Sequence, residues 1–266
     1  MSNQEKIGFL EGRQWVVHRG LNWWIHPHQF IDATMLSYGA WEPPTTRVYE
    51  GLLGPDMVVL DLGANTGYFS ILGARLVGPK GRVIAVEAMA EPLEVLKSQV
   101  TANHFANVKI IQAAVDAVDH AAEDFFTNYS WTVPGVLGAT IFSQHGGVVP
   151  FKTVDTIVKE EGLERLDFVK IDLDGYDFRA LRGAQESLMR FRPKLLVEVG
   201  DYTMRDVEKY GEGYRYGDET RRMLAFLKDC GYRLLREESM QPITDIEALL
   251  KEYDLSIRSI NVVAVP

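Results

Sequence analysis

Apolar and polar positions alternate in blocks along most of this chain. Short apolar runs of strand type recur at Val58–Leu60, Arg82–Glu87, Val108–Gln112, Asp167–Asp172 and Lys194–Val199. The segments between them carry a helical period: Tyr68, Phe69, Ile71, Leu72 and Leu76; then Leu93, Leu96 and Val100; then Phe178, Leu181 and Leu188. Met223, Phe226, Leu227 and Cys230 mark a later amphipathic helix. Thr153–Glu161 reads as helical. From Met57 to Leu235 the alternation predicts a parallel sheet with helices on both faces. Tyr232–Leu235 and Ile260–Val265 are predicted to close that sheet as a final pair.

Residues 1–40 read as an N-terminal appendage, and 41–266 as the main domain. Gln14–His18 and Asn22–His26 are strand-like runs around Arg19-Gly20-Leu21, which predicts a hairpin. Asp32–Tyr38 follows as a short helix. Trp23, Trp24 and Trp41 are dense here, and serve either as core packing or as an aromatic lid. Glu42-Pro43-Pro44 is expected to break the chain, with Thr45 capping a helix over Thr46–Leu53. Two stretches lack a clear period. Residues 128–150, rich in glycine and aromatics, read as irregular, with a short edge strand before them at Glu123–Thr127. Residues 200–217 read as a polar, tyrosine-rich loop.

The chemistry gathers where predicted strands end. Asp61, Glu87, Asp172 and Glu198 each close an apolar run, and ligands of such sheets lie beyond the carboxyl ends of the strands. After Asp61 comes a glycine turn, Gly63-Ala64-Asn65-Thr66-Gly67, opening a helix at Tyr68. Such a turn offers a ligand free backbone amides and the positive end of a helix dipole. It is neither G-x-G-x-x-G nor G-x-x-x-x-G-K-[ST], so an NAD-linked oxidoreductase and a phosphate grip are disfavoured. An acid in the position of Glu87 can accept hydrogen bonds from both ribose hydroxyls of a nucleoside. Asp61 and Asn65 either brace the turn or bond the ligand. Asp172 is assigned to substrate orientation, proton acceptance or metal binding, with capping of the helix near Tyr176 as its structural alternative.

Composition narrows the partners. The 266 residues carry 28 basic and 37 acidic side chains, a net charge of -9, which argues against a broad nucleic-acid surface. No apolar run approaches a membrane span, and the first residues lack a signal-peptide pattern. The lone cysteine, Cys230, excludes an internal disulfide and a cysteine-rich metal site. These features predict a cytoplasmic protein that meets no membrane. Oligomeric state stays open, a homodimer being one arrangement.

With these pieces placed, the chain resembles the class I S-adenosylmethionine-dependent methyltransferases, and more narrowly the FkbM family. The resemblance rests on Trp41-Glu42-Pro43, Val59–Ser70, Glu87, Asn103, Phe151–Asp155, Phe168–Gly175, Leu181–Ala184 and Pro193–Glu198. It departs where the family carries Glu before a glycine and this chain has Asp174, and where Tyr176-Asp177 replaces Ala-Glu. It implies a Rossmann-like, seven-stranded, mostly parallel sheet with an antiparallel final strand. It also implies S-adenosyl-L-methionine as cofactor, with S-adenosylhomocysteine as product. By position, Gly63, Ala64 and Gly67 would shape the loop beside the methionine part, with Asp61, Asn65 and Tyr68 around it. Glu87 would hold the ribose, Ala88 and Met89 would flank the adenine, and Ala113 and Ala114 would approach it. Glu42 would lie near the amino-acid end, and Asp172 belongs to the same set.

Methyl transfer from a sulfonium is an in-line displacement that needs alignment and exclusion of water. A hydroxyl nucleophile gains from a base, for which Asp172, Asp174, His145 and Glu198 are candidates. Asp172 is favoured. A magnesium-assisted route through Asp172 with Glu198 or Asp201 is the less favoured one, and no metal ligand is assigned. The expected reaction is O-methylation of a small molecule, a sugar or natural-product intermediate. The rivals are N- or C-methylation, and a nucleoside-binding module without turnover.

Overall fold

The computed structural model describes residues 10–131, 140–200, 217–253 and 259–266; within 123–147 only the strand backbone is described. In chain order the elements begin with β1 (Gln14–His18), β2 (Leu21–Ile25), α1 (Phe30–Tyr38), α2 (Pro43–Leu52) and β3 (Val58–Leu62). Next come α3 (Tyr68–Val77), β4 (Arg82–Glu87), α4 (Ala90–Ala102), β5 (Val108–Gln112), β6 (Ala114–Val115), β7 (His120–Trp131) and β8 (Thr140–Lys152). The rest are α5 (Val154–Glu160), β9 (Phe168–Ile171), α6 (Asp177–Arg182), α7 (Gln185–Phe191), β10 (Lys194–Val199), α8 (Asp218–Asp229), β11 (Arg233–Arg236), α9 (Ile246–Glu252) and β12 (Ile260–Val265).

A seven-stranded sheet runs in the order β11-β12-β10-β9-β3-β4-β5. β9 is parallel to both β3 and β10, and β4 is parallel to β5. β12 runs antiparallel to β10 and to β11, so the two final runs do close the sheet as a pair. The β3 and β9 side chains are almost wholly buried, as continuous apolar strands of a parallel sheet require. Each such buried Val, Ile or Leu stabilises by about 1.5–3 kcal/mol.

The chain divides into two compact units. The first holds residues 1–56, 63–114 and 120–151, and the second holds 57–62, 115–119 and 152–266. In the first unit β1 and β2 form the expected antiparallel hairpin, with Leu21, Trp23 and Ile25 turned inward. Behind the glycine turn, Ala64, Ala85 and Leu96 pack with Val100, Val108 and Ile110.

Three expectations change. The irregular stretch 128–150, with its short preceding edge strand, is replaced by two long antiparallel strands, β7 and β8, paired from His120↔Phe151 to Trp131↔Thr140. A register shift between Phe125 and Phe126 hides the period-2 pattern there. Thr45 does not cap a helix. Pro43 and Pro44 themselves open α2, because proline lacks only a donor that the first turn leaves unpaired. The single helix expected after Gly175 is two, α6 and α7. Its interruption, Gly183, is needed because a Cβ there would sit 2.3 Å from the Asp116 carbonyl oxygen. Of the loop at 200–217, residues 201–216 lie outside the described residues.

Candidate active site

In the first unit the site is built on the turn between Gly63 and Gly67. Gly63, Asn65 and Gly67 all have positive φ, at 80°, 50° and 96°. Gly67 is required twice over: by that φ, and because a Cβ would lie 2.4 Å from Leu96 Cδ1. The turn's amides are not free, contrary to expectation. Gly63 and Ala64 N–H donate to the Val86 carbonyl at 3.0 Å each. Asn65 N–H donates to Glu87 Oε2 at 2.8 Å, Thr66 N–H to Asn65 Oδ1 at 2.8 Å, and Gly67 N–H to Ala64 O at 2.8 Å. Five successive donors are therefore satisfied inside the protein, and a phosphate would find no cradle here.

Glu87, at the end of β4, is 5% exposed. Its Oε2 takes the Asn65 amide and its Oε1 takes the Met89 amide at 2.7 Å. A buried carboxylate that accepts from N–H groups in this way has the chemistry a diol's hydroxyls would also meet. Met89 thus reaches Glu87 through its backbone, while its side chain is fully buried. Ala88 and Ala114 come together with Val149 and Phe151 in one apolar cluster, the surface type that a purine face would meet. Ala113 N–H bonds the Glu87 carbonyl at 3.2 Å.

Tyr68 begins α3, stacks on Trp23 with centroids 5.4 Å apart, and has its hydroxyl 3.2 Å from Thr46 Oγ1. Glu42, half-buried, precedes α2 with φ 40°.

The second unit holds the other acids. Asp61 is buried on β3, in register with Lys170 on β9. Lys170, itself buried, donates from Nζ to Asp172 Oδ2 at 2.7 Å. Asp172 keeps 29% of its side chain exposed, so it is held by a charge partner yet open to solvent. It does not cap the following helix. No side chain caps that helix; Asp177, its first residue, reaches back instead, its Oδ1 taking the Leu173 amide at 2.9 Å and its Oδ2 the Gly175 amide at 3.0 Å. These bonds tie a bend in which Asp174 and Gly175 both have positive φ, and they leave Asp174 exposed.

Burial, and next the charge of Asp172, push the Asp177 carboxyl up to about 7. Burial and then the charges of Asp172, Asp177 and Asp174 raise Glu198 well above the usual carboxylate range. Arg179 forks onto the buried Asp116 with both bonds at 2.6 Å.

His145 lies on β8 opposite Phe126 rather than in a loop; its side chain, like Asp201, lies outside the described residues. Among the described residues no group of three or more His, Cys, Asp or Glu side chains is arranged to hold a metal ion. In the sequence Asp177 shows only as a departure from the family pattern, and Lys170 does not stand out. An i, i+2 Lys-x-Asp at a strand end and a carboxylate two residues after a glycine were the available signals.

The family model for the methyltransferase FkbM domain matches residues 61–234, well over half of the chain. The chain is similar to AMB antimetabolite synthetase AmbE of Pseudomonas aeruginosa, 26% identical over 190 residues, 56% of this chain. It spans only 9% of that relative's length. Among solved structures it is similar to methyltransferase FkbM from Methylobacillus flagellatus, 18% identical, TM-score 0.47, covering 82% of this chain and 48% of the other. It is also similar to Aeropyrum pernix fibrillarin with natively bound S-adenosyl-L-methionine, 14% identical, TM-score 0.46, covering 96% and 84%.

Proposed function

This chain belongs to the FkbM family of methyltransferases, and on that premise we propose that it methylates a hydroxyl oxygen of a small molecule, a sugar or natural-product intermediate. S-Adenosyl-L-methionine is the cofactor on this methyltransferase-family reading. When bound, it supplies an electrophilic methyl group on a sulfonium. One observation carries the assignment of where it binds: the glycine turn has its amides satisfied internally, and its partner is the buried carboxylate of Glu87. That donor and acceptor set suits a neutral diol and not a phosphate.

In this reading Glu87 accepts hydrogen bonds from the ribose hydroxyls. Ala88 and Ala114, backed by Val149 and Phe151, meet the purine. Met89 flanks the purine beside Ala88 and is held by its amide on Glu87. Gly63, Ala64, Asn65 and Gly67 shape the methionine end, with Tyr68, Asp61 and Glu42 contributing polar groups. Asp172 accepts the proton of the reacting hydroxyl, with its orientation set by Lys170. Asp174 and His145 remain the alternative bases. Residues 1–40 act as an appendage to the domain over 41–266. The likeness to a segment of an antimetabolite synthetase supports the natural-product setting. Among the described residues no helix is long and apolar enough to cross a membrane. The lone cysteine, Cys230, suits a reducing, cytoplasmic setting.

The test is label transfer from methyl-labelled cofactor to a panel of hydroxylated and amino acceptors. Label should appear on oxygen. With the accepted substrate, Asp172→Asn should cut turnover about 10²–10⁴-fold while S-adenosylhomocysteine still binds. Label found only on amines would replace the O-methylation reading with N-methylation.

A further inference from the structure

The side chain of Gln99, on α4, is 2% exposed and lies between two backbones. Its Oε1 accepts from the Trp24 amide of β2 at 3.2 Å, and its Nε2 donates to the Thr66 carbonyl of the glycine turn at 2.5 Å. The carboxamide's orientation follows from its neighbours, since an amide N–H needs an acceptor and a carbonyl needs a donor. One turn further along α4, Asn103 fastens the same strand. Its Oδ1 accepts from Asn22 N–H at 2.8 Å and its Nδ2 donates to Asn22 O at 2.7 Å. Asn22 returns a bond to the Ala102 carbonyl at 3.0 Å. Trp23, the residue between Asn22 and Trp24, stacks on Tyr68 just past the turn, the planes 25° apart.

We propose that Gln99 is a positioning residue for cofactor binding, through which the N-terminal hairpin holds the glycine turn in its binding geometry. The inference rests on the turn and Glu87 being the cofactor site. The chain of contacts is short. β2 fixes Gln99, Gln99 fixes the Thr66 carbonyl, and the neighbouring Asn65 amide is thereby kept on Glu87. The hairpin is then a brace for the turn, and its tryptophans serve that brace instead of closing over the ligand as a lid. Leucine at 99 keeps the volume but removes both bonds. Glutamate at 99 keeps the acceptor for Trp24 and cannot, as a carboxylate, donate to Thr66.

The experiment is calorimetry of S-adenosylhomocysteine binding to the full chain: wild type, Gln99→Leu, Gln99→Glu and Glu87→Ala. Each binding curve is scaled to the folded fraction measured by thermal melting. Both Gln99 variants should bind about tenfold more weakly per folded molecule, the scale of one neutral hydrogen bond. A purely structural Gln99 would lower the melting temperature and leave that affinity unchanged, which overturns the proposal. If Gln99→Leu does not fold, hydrogen exchange on the wild type and on Gln99→Glu decides. The ligand should slow exchange of the Trp24 amide in the wild type and not in Gln99→Glu; equal slowing in both overturns it. Affinity lost in Glu87→Ala but kept in both Gln99 variants sinks this inference alone. A wild type that does not bind sinks the site assignment as well.

Discussion

On the proposed reading, Glu87→Ala attacks both the fold of the turn and the grip on the cofactor. Two backbone amides, Asn65 N–H and Met89 N–H, lose their acceptor at a position only 5% exposed. A buried donor left unsatisfied costs about 1–3 kcal/mol. With water entering the space left behind, the pair should lower stability by about 2–4 kcal/mol. Hydrogen bonds to a charged partner are worth about 1.5–3 kcal/mol each, and the ribose diol offers two donors. Since about 1.4 kcal/mol is tenfold in affinity, loss of that grip should weaken S-adenosylhomocysteine binding about 10²–10⁴-fold.

Two measurements separate these effects. Urea titration gives the loss of stability, and calorimetry in the absence of denaturant gives the affinity of the folded protein. Glu87→Gln is the informative companion, because its amide oxygen can keep one backbone donor while its NH₂ opposes the other. It should fall between wild type and alanine in both measurements. A folded Glu87→Ala whose affinity lies within about threefold of wild type would refute the ribose assignment, because that margin is below one ordinary hydrogen bond.

Gly67→Ala should cost about 2–4 kcal/mol in denaturant titration and abolish S-adenosylhomocysteine binding, since its Cβ meets Leu96 at 2.4 Å and its φ is +96°; near-wild-type stability would contradict the packing described. Asp177 should make stability depend on pH. Its folded-state value of about 7 lies above the unfolded 3.8, so the folded protein holds the extra proton between those values. The stabilisation from this group is complete below about pH 4 and is lost as pH rises through about 7, and the raised Glu198 acts in the same direction. Melting temperature measured from pH 4 to 8 should therefore decline less in Asp177→Asn than in wild type, and parallel curves would remove Asp177 as the source.

Much of this protein could be read before its structure. The apolar runs that lead to Asp61, Glu87, Asp172 and Glu198 name the strands to within a residue, because burial on both faces demands unbroken apolar stretches. The glycines at 63 and 67 announce the turn because few other residues accept its backbone angles. What lay beyond reach depends on partners distant in the chain. That the turn's amides are already paired, and that Glu87 holds two of its neighbours, follows only when β4 lies beside the turn. Asp177, not Asp172, ties the bend, while Lys170 holds Asp172 on its own face of the strand. Gln99 looks like any polar helix residue until its helix is rotated to set it between β2 and Thr66. The pairing of β7 with β8 runs through a shifted register, so plain alternation along the chain does not display it. Local periodicity selects the elements, whereas the hydrogen-bond partners of buried polar groups are settled only by packing.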